Sequence, residues 1–255
     1  MTKDKNDAPQ NPTACLIIIG NEVLSGRTQD ANLAYLAQGL NDVGVRLAEA
    51  RVIPDVEAII VKTLNQCRKA HTYVFTTGGI GATHDDITAE AVAKAFGRPL
   101  LCDARAVKAL EEHYGDRLND ARLKMAEMPE GAELIDNPVS HAPGFHIGNV
   151  YVFAGVPKIM QAMFDGVKHT LKGGAVWRAR SLSTDLTEGV IAGEMALLQD
   201  DHKDVEIGSY PHFKDGRLGV ALVVRGADAG AIDETVAALE AMVRAHDGAV
   251  FEDPP

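Results

Sequence analysis

A glycine-rich segment, TTGGIGATHDD at residues 76–86, carries the clearest chemical signal in the sequence. Gly78, Gly79 and Gly81 permit sharp backbone turns that direct amide N–H groups into a concave site. The helix expected to begin near Thr88 would add the positive end of its dipole. These features predict a phosphate-bearing ligand, with a simple tight turn as the alternative. The third glycine of a dinucleotide-binding fingerprint is missing, and no Walker A Gly-Lys-Ser/Thr occurs.

Carboxylates surround the same expected site. Asp85 and Asp86 end the glycine-rich segment, whereas Glu22 and Asp55 follow the first and second expected strands. Because ligands of open parallel sheets lie beyond the carboxyl ends of the strands, we expect these groups at one rim. Bare carboxylates would repel a phosphate, which predicts a divalent ion, Mg²⁺, Mn²⁺ or Co²⁺, between them. The ion would polarise a phosphoryl oxygen and activate a water, whereas a structural alternative places Asp85 and Asp86 at a helix start.

Histidine and cysteine provide no metal signature at the level of sequence motifs. The histidines are scattered, and neither H-E-x-x-H nor a Cys/His metal spacing is evident. His84 lies within the glycine-rich segment, where a ligand contact and a solvent-facing side chain both fit the pattern. Cys15, Cys67 and Cys102 are widely separated in apolar runs, so we expect three buried thiols in a reducing compartment.

Alternating strands and helices are expected to position these residues. The continuous apolar run at residues 14–20 predicts a strand buried on both faces. A helix is predicted behind Asp30, ending at Gly44, because leucines recur there at helical spacing. A strand, a second helix and a third strand follow up to residue 76. This alternation predicts a parallel sheet with helices on both faces.

Glycine and proline divide the remainder of the first domain. Helices are predicted at residues 88–96, 103–114 and 120–128. GFHIGN followed by VYVFAG predicts a hairpin that turns near Gly148 and Asn149. Pro157 then opens a helix that would complete an α/β/α sandwich.

A second apolar pattern begins after the adjacent glycines Gly173 and Gly174, which mark a linker. Strand, helix, strand, strand and helix are predicted within residues 176–250, which is a small α+β domain of ordinary size. The predicted fold class is therefore α/β: a three-layer sandwich at residues 14–172, followed by this small domain.

Composition and charge restrict the possible functions. The chain has 255 residues, 46 % of them hydrophobic, and 25 − 36 = −11 formal charges. These values indicate a globular protein and argue against partners such as nucleic acid or an anionic membrane. Residues 1–13 are polar, which predicts a disordered tail without a signal peptide. No apolar run reaches the roughly 20 residues that a membrane-spanning helix needs. We therefore expect a cytoplasmic protein.

Five separate segments resemble the molybdopterin-binding domain shared by MoaB/Mog proteins, MoeA, the amino-terminal part of CinA and eukaryotic FAD synthases. They are GNEVLSGRTQDANLAYLAQGLNDVG, Asp55 after RVIP, TTGGIGATHDDIT, NPVSHAPGF and FAGVPKIM. Their order covers residues 14–172, and the likeness to CinA extends to GSYP and VALVVRG in the small domain. The resemblance implies a MoaB/Mog-like sandwich.

The resemblance also implies roles for the matching residues. Asp86 matches the catalytic aspartate of Mog-type enzymes, Asp55 their second acidic residue, and Glu22 the glutamate of the MoeA G-D-E motif. The implied metal ligands are Asp86, Glu22 and Asp85. The implied substrate-binding residues are Gly20, Asn32, Thr77, Gly78, Gly79, Gly81, Thr88, Gly155 and Pro157.

The sequence departs from the family pattern at three places: Ala82 replaces a proline, Ser140-His141 replace Gly-Thr, and Ile159 replaces a glutamate of CinA proteins. One hypothesis is a metal-dependent nucleotide pyrophosphatase acting on ADP-ribose or FAD. Molybdopterin adenylyl transfer, a step of molybdenum cofactor biosynthesis, is its sister chemistry because both break a P–O–P linkage.

A second hypothesis is a non-catalytic pterin- or nucleotide-binding module, which the loss of an acidic group at Ile159 favours. The rim carboxylates favour the enzyme, since a passive anion binder gains nothing from them. The expected partner is a small-molecule dinucleotide or molybdopterin, and a homo-oligomer is expected. Longer CinA proteins continue into a nicotinamide-mononucleotide deamidase domain that this sequence does not contain, so we do not expect deamidase activity.

Overall fold

The computed structural model describes residues 11–214 and 217–251. It divides the chain into two compact units, and the boundary in the sequence lies between Gly174 and Ala175. The predicted tail at residues 1–13 lies outside the described residues except for its last three positions, and Thr13 already belongs to the first strand.

The first unit contains eight short or medium strands and seven helices among the described residues. The strands are β1 (Thr13–Ile19), β2 (Arg46–Ile53), β3 (Tyr73–Thr77), β4 (Leu100–Cys102), β5 (Glu127–Pro129), β6 (Glu133–Ile135), β7 (Gly144–Ile147) and β8 (Val150–Phe153). The helices are α1 (Asn21–Leu24), α2 (Asn32–Asp42), α3 (Glu57–Ala70), α4 (Thr88–Phe96), α5 (Ala104–Tyr114), α6 (Asp120–Leu123) and α7 (Pro157–Val167).

A mixed six-stranded sheet, in the order β2-β1-β3-β8-β7-β6, forms the middle layer of the described unit. β2, β1, β3 and β8 run parallel. Helices connect the first three of these strands, which is the usual crossover between parallel strands. The predicted hairpin at Gly148 and Asn149 is confirmed and makes β7 antiparallel to β8, and β6 is antiparallel to β7. β4 and β5 form a separate antiparallel pair.

Two apolar cores cover the faces of this sheet. Cys15 and Ile17 of β1 join a core with α3, α4 and α5, whereas Leu16 and Ile18 join a second core with α2 and α7. Successive side chains of a strand point to opposite faces, so a strand buried on both faces must be apolar throughout. The predicted three-layer α/β/α sandwich is confirmed.

The predicted helix bounds are correct where a glycine ends the helix. They are wrong where the segment pairs with a distant strand instead. The helix predicted at residues 88–96 has these bounds and is capped by Gly97. The helix predicted at residues 120–128 is wrong beyond Leu123. Lys124–Ala126 form a 3₁₀ turn, and Glu127–Pro129 pair with β4, which buries Met128.

The cysteine prediction is confirmed for two of three positions. Cys15 and Cys67 are buried free thiols, but Cys102 is exposed. Cys102 ends β4, which belongs to a two-stranded sheet outside the central layer, so an apolar neighbourhood in sequence does not bury it.

The second unit follows the predicted order of strand, helix, strand, strand and helix. Its elements are β9 (Arg178–Thr184), α8 (Glu188–Asp201), β10 (Val205–Lys214), β11 (Arg217–Gly226), α9 (Ala229–Ala245) and β12 (Val250–Phe251). The strands form an antiparallel sheet in the order β10-β11-β9-β12, with an apolar core that includes Leu182, Leu222 and Leu239. Within the described ranges of both units, no helix has the length and apolarity needed to cross a membrane.

Candidate functional site

The carboxyl ends of β2, β1, β3 and β8 lie side by side, because these strands are adjacent and parallel. Asp55 follows β2, Glu22 follows β1, Gly78 follows β3 and Gly155 follows β8. Residues that are far apart in the sequence therefore share one rim of the sheet, which is where ligands of open α/β sheets bind.

The turn after β3 requires glycine at two positions. Gly78 and Gly79 have φ values of 99° and 69°. A Cβ atom on Gly78 would lie 2.2 Å from the Ile19 carbonyl oxygen, and one on Gly79 would lie 2.2 Å from Thr88 Oγ1. The Thr88 hydroxyl donates to the Gly78 carbonyl at 2.9 Å, and its N–H donates to the Gly79 carbonyl at 2.9 Å. Thr88 is fully buried, so its side chain holds this turn against the start of α4.

Gly79, Ile80 and Gly81 form one wall of a cleft. Among the described residues, no backbone carbonyl accepts a hydrogen bond from their amide N–H groups. The cleft is also lined by the charged residues Asp86, Glu90, Lys124 and Glu127, together with apolar side chains from the neighbouring elements. Unpaired amides beside a lysine suit a phosphate, and a carboxylate at the same place suits a hard cation.

Asp85 and Asp86 converge on the hydroxyl group of Thr83. Thr83 Oγ1 lies 2.6 Å from Asp85 Oδ1 and 2.5 Å from Asp86 Oδ2, and the Thr83 N–H donates to Asp86 Oδ2 at 2.8 Å. A hydroxyl has one proton, so it donates to one of the two carboxyl groups at a time. The Thr83 hydrogen bond is the main cause that lowers the pKa of Asp85. Two carboxyl groups this close can supply the protein ligands of a hard cation, whose other ligands are commonly phosphate oxygens and water.

Lys124 is a cleft residue that the sequence analysis missed, as are Glu90 and Glu127. Its Nζ donates to the Thr83 carbonyl at 2.7 Å, across 41 residues of sequence. The contact depends on β5 packing beside α4, which places the turn before β5 at the cleft. No periodicity or motif marks such a lysine, because its position depends on how the chain returns to this point.

Glu22 and Asp55 occupy the β1–β2 side of the rim. Asp55 Oδ2 accepts the Asn21 N–H at 2.8 Å, which ties the end of β2 to the start of α1. The Glu22 carboxylate folds over Gly20, where a Cβ atom would lie 2.5 Å from Glu22 Oε1.

The predicted metal ligands are only partly brought together. In the part of the chain that the structure describes, Asp86, Glu22 and Asp85 do not form a group of three with ligand atoms within 4.8 Å of one another. Asp85 and Asp86 meet at Thr83. The structure therefore joins two members of the predicted set, and the role of Glu22 stays a prediction.

The remaining predicted binding residues lie on the β3–β8 side. Asn32 Nδ2 donates to the Gly155 carbonyl at 2.9 Å, and a Cβ atom on Gly155 would lie 3.2 Å from Gly78 Cα. Asn32 Oδ1 and Thr77 Oγ1 are buried without a hydrogen-bond partner among the described residues. Pro157 is exposed at the start of α7, where its fixed φ suits the first helical position.

Comparison with known proteins agrees with the fold. Residues 15–173 match a family described as a probable molybdopterin binding domain. The chain belongs to this molybdopterin-binding family. Residues 177–249 match a second family, described as the middle domain of FAD synthase. The two matches correspond to the two compact units.

Relatives in this family include CinA-like proteins and probable FAD synthases. A CinA-like protein of Syntrophus aciditrophicus is 34% identical over 217 residues, covering 80% of this chain and 52% of the relative. A probable FAD synthase of Caenorhabditis elegans is 29% identical over 265 residues, covering 93% of this chain and 51% of the relative. This chain thus spans about half the length of these two relatives.

A solved structure of the protein CinA from Thermoplasma acidophilum shares the fold of the first unit. It is 34% identical, with a TM-score of 0.59, and the match covers 62% of this chain and 97% of that chain. The family match and the solved structure therefore confirm the molybdopterin-binding sandwich that the resemblance implied.

Proposed function

We propose that this protein is a divalent-metal-dependent nucleotide pyrophosphatase whose substrates belong to the ADP-ribose or FAD class. The observation that carries the proposal is the convergence of the Gly79–Gly81 amides, Asp86 and Lys124 in one cleft. The amides and the lysine suit a diphosphate, and the carboxylate suits a metal ion. The two family matches support a pterin or nucleotide as the ligand.

The residues present fit a hard divalent ion. Mg²⁺ commonly takes one or two protein carboxylates, with phosphate oxygens and water completing the octahedron. Asp85 and Asp86, which share the Thr83 hydroxyl, would hold it, with Glu22 as the further predicted ligand. When bound, such an ion neutralises phosphoryl charge and lowers the pKa of a coordinated water.

The protein groups have distinct tasks in this proposal. The amides of Gly79–Gly81 and the ammonium group of Lys124 bind the diphosphate and stabilise the charge that develops on the leaving phosphate. Asp55, held by the Asn21 amide, orients the attacking water. The water oxygen forms a bond to phosphorus, the bridging P–O bond breaks, and ADP-ribose or FAD yields AMP and a second phosphomonoester.

The test is product analysis with ADP-ribose and FAD in the presence of Mg²⁺, Mn²⁺, Co²⁺ or a chelator. We expect AMP only with metal, and a loss of ~10²-fold or more in turnover for Asp86→Asn, the scale of single electrostatic groups in other enzymes. Asp116→Asn, an exposed carboxylate outside the cleft, is the matched control and should keep full turnover. Equal turnover in chelator, or an unimpaired Asp86→Asn variant, would contradict the proposal.

The alternative is a non-catalytic binding module. It is favoured by Ile159, which stands where CinA proteins have a glutamate and packs partly buried against the core shared by α2 and α7. The same experiment separates the two hypotheses. Calorimetric binding of a dinucleotide or molybdopterin without any product from the substrate panel would favour the module, and adenylylated molybdopterin formed from ATP would favour the sister reaction.

A further inference from the structure

A second cluster of potential metal ligands lies towards the amino ends of the strands, away from the candidate site at their carboxyl ends. It comprises Cys15 on β1, Glu49 on β2, Cys67 in the last turn of α3 and His71 directly after that helix. Ligand atoms of Cys15, Glu49 and His71 all lie within 4.8 Å of one another. Cys67 Sγ lies 3.3 Å from Cys15 Sγ. The proposed reaction uses none of these side chains.

Two distances in the cluster are close to those of a tetrahedral zinc site. With Zn–S bonds of about 2.3 Å and Zn–N or Zn–O bonds of about 2.0 Å, a tetrahedron separates two sulfurs by about 3.8 Å and N from O by about 3.3 Å. The Cys15 and Cys67 sulfurs are 3.3 Å apart, and His71 Nε2 is 3.1 Å from Glu49 Oε2. Both pairs are thus within about 0.5 Å of the required separation. Cys67 lies outside the group of three whose ligand atoms are all within 4.8 Å of one another, so its side chain must turn towards Glu49 and His71 to complete the tetrahedron.

Local structure places the ligands on one face of the sheet. The register of β1 and β2 shifts between Ala14 and Cys15, which sets Cys15 directly opposite Glu49. Bulges of this kind re-aim side chains and are frequent beside functional sites. Cys67 and His71 are four residues apart, and the His71 N–H donates to the Cys67 carbonyl at 3.0 Å. This i, i+4 relation brings both residues to the same side of the helix end.

The surroundings favour a soft ion over a hard one. Both cysteines are fully buried, whereas the side chains of His71 and Glu49 are 12% and 36% exposed, which leaves a path for an ion. Cys15 donates its S–H to the Cys67 sulfur at 3.3 Å, so the two sulfurs already face each other. Thiolate with imidazole selects zinc among the common divalent ions, in contrast to the all-oxygen set of the candidate site.

We propose that Cys15, Cys67, His71 and Glu49 form a structural zinc site that joins β1, β2 and α3. Four protein ligands leave no open position for a substrate, which is the arrangement of structural zinc sites. Because the ligands come from three separate elements, the bound ion crosslinks them and stabilises the folded first unit.

The test is a metal titration of the full chain after removal of metal under reducing conditions. We expect one tightly bound Zn²⁺ per chain, a raised melting temperature, and a Co²⁺ derivative with thiolate-to-metal charge-transfer absorption. Cys15→Ser and Cys67→Ser each leave one thiolate, so each should reduce that absorption and weaken binding by ~10²-fold or more, and the double variant should abolish the absorption. The matched control Cys102→Ser removes an exposed cysteine outside the cluster and should change neither property.

Two further variants keep the test decisive. His71→Asn alters a partly exposed ligand and should weaken zinc binding while the folded chain keeps thiolate absorption with Co²⁺. Asp86→Asn should leave the zinc stoichiometry unchanged, so failure of the pyrophosphatase proposal would not affect this one. The zinc site is refuted if the double cysteine variant retains the Co²⁺ absorption, or if the reduced wild type binds no zinc.

Discussion

Replacement of Gly79 by alanine tests whether the phosphate-binding turn depends on its close contact with Thr88. Gly79 has φ 69°, and this left-handed conformation costs a residue with a Cβ atom about 1–2 kcal/mol. The new Cβ would also lie 2.2 Å from Thr88 Oγ1, so the threonine must rotate. Rotation breaks its 2.9 Å hydrogen bond to the Gly78 carbonyl, which adds about 1–2 kcal/mol. We therefore expect a loss of about 2–4 kcal/mol.

Two comparison variants separate the terms of this sum. Gly97→Ala has a similar φ of 62° and open space around the new Cβ, so it should lose only the conformational part, about 1–2 kcal/mol. Adding Thr88→Ala to Gly79→Ala removes the clashing oxygen, and the nearest remaining threonine atom lies at 3.3 Å. The double variant should therefore be more stable than the sum of the single effects by about 1 kcal/mol or more.

The assay is urea unfolding followed by near-ultraviolet circular dichroism. The only tryptophan, Trp177, lies in the second unit, so the variants are made in a Trp177→Phe background. Of the five tyrosines in the sequence, Tyr35, Tyr73, Tyr114 and Tyr151 belong to the first unit, so the remaining signal reports mainly on the unit that contains the turn. Equal destabilisation by Gly79→Ala and Gly97→Ala, or strict additivity with Thr88→Ala, would refute the reasoning.

Three further predictions concern charge and hydrogen bonding in the first unit. Lys124→Met should weaken dinucleotide binding about 10-fold in calorimetry, whereas Lys108→Met, an exposed lysine outside the cleft, should not; equal affinities would exclude Lys124 from the site. The pKa of Asp103 is lowered to about 2, chiefly by its hydrogen bond with Arg105. At pH values above the unfolded-state pKa of about 4, the Asp103 carboxylate therefore stabilises the fold, and this stability is lost as the pH falls towards 2. Acid unfolding of Asp103→Asn should lack this component, and identical acid curves would contradict it. Asn149→Ala removes two 3.0 Å hydrogen bonds to carbonyls at the end of α3 and should cost about 1–3 kcal/mol in urea unfolding, a prediction that unchanged stability would overturn.

Elements whose signals lie among neighbouring residues could be predicted from the sequence. The apolar run of β1 indicated burial on both faces, Gly97 marked the end of α4, and the hairpin turned at Gly148 as expected. These features depend on backbone geometry and on the spacing of apolar side chains within a few residues. The helix predicted beyond Leu123 failed because Glu127–Pro129 pair with β4, and that distant partner outweighs local helical preference.

The candidate site shows the same division. Gly79, Gly81 and Asp86 were recognisable because one turn and one helix start hold them together, and the sequence by itself determined that arrangement. Lys124 joins them only through tertiary packing. Hydrogen bonds and ligand geometry depend on distances in space, which linear spacing constrains only within a single element.

The cysteine cluster depends still more on tertiary structure. The sequence determined that Cys15 is buried, since it lies in the apolar run of β1. Its place opposite Glu49 follows from a shift in strand register, and its contact with Cys67 follows from the packing of α3 on the sheet. Strand pairing and helix packing are chosen by the energy of the whole core, so the tertiary structure alone decided which of these side chains meet.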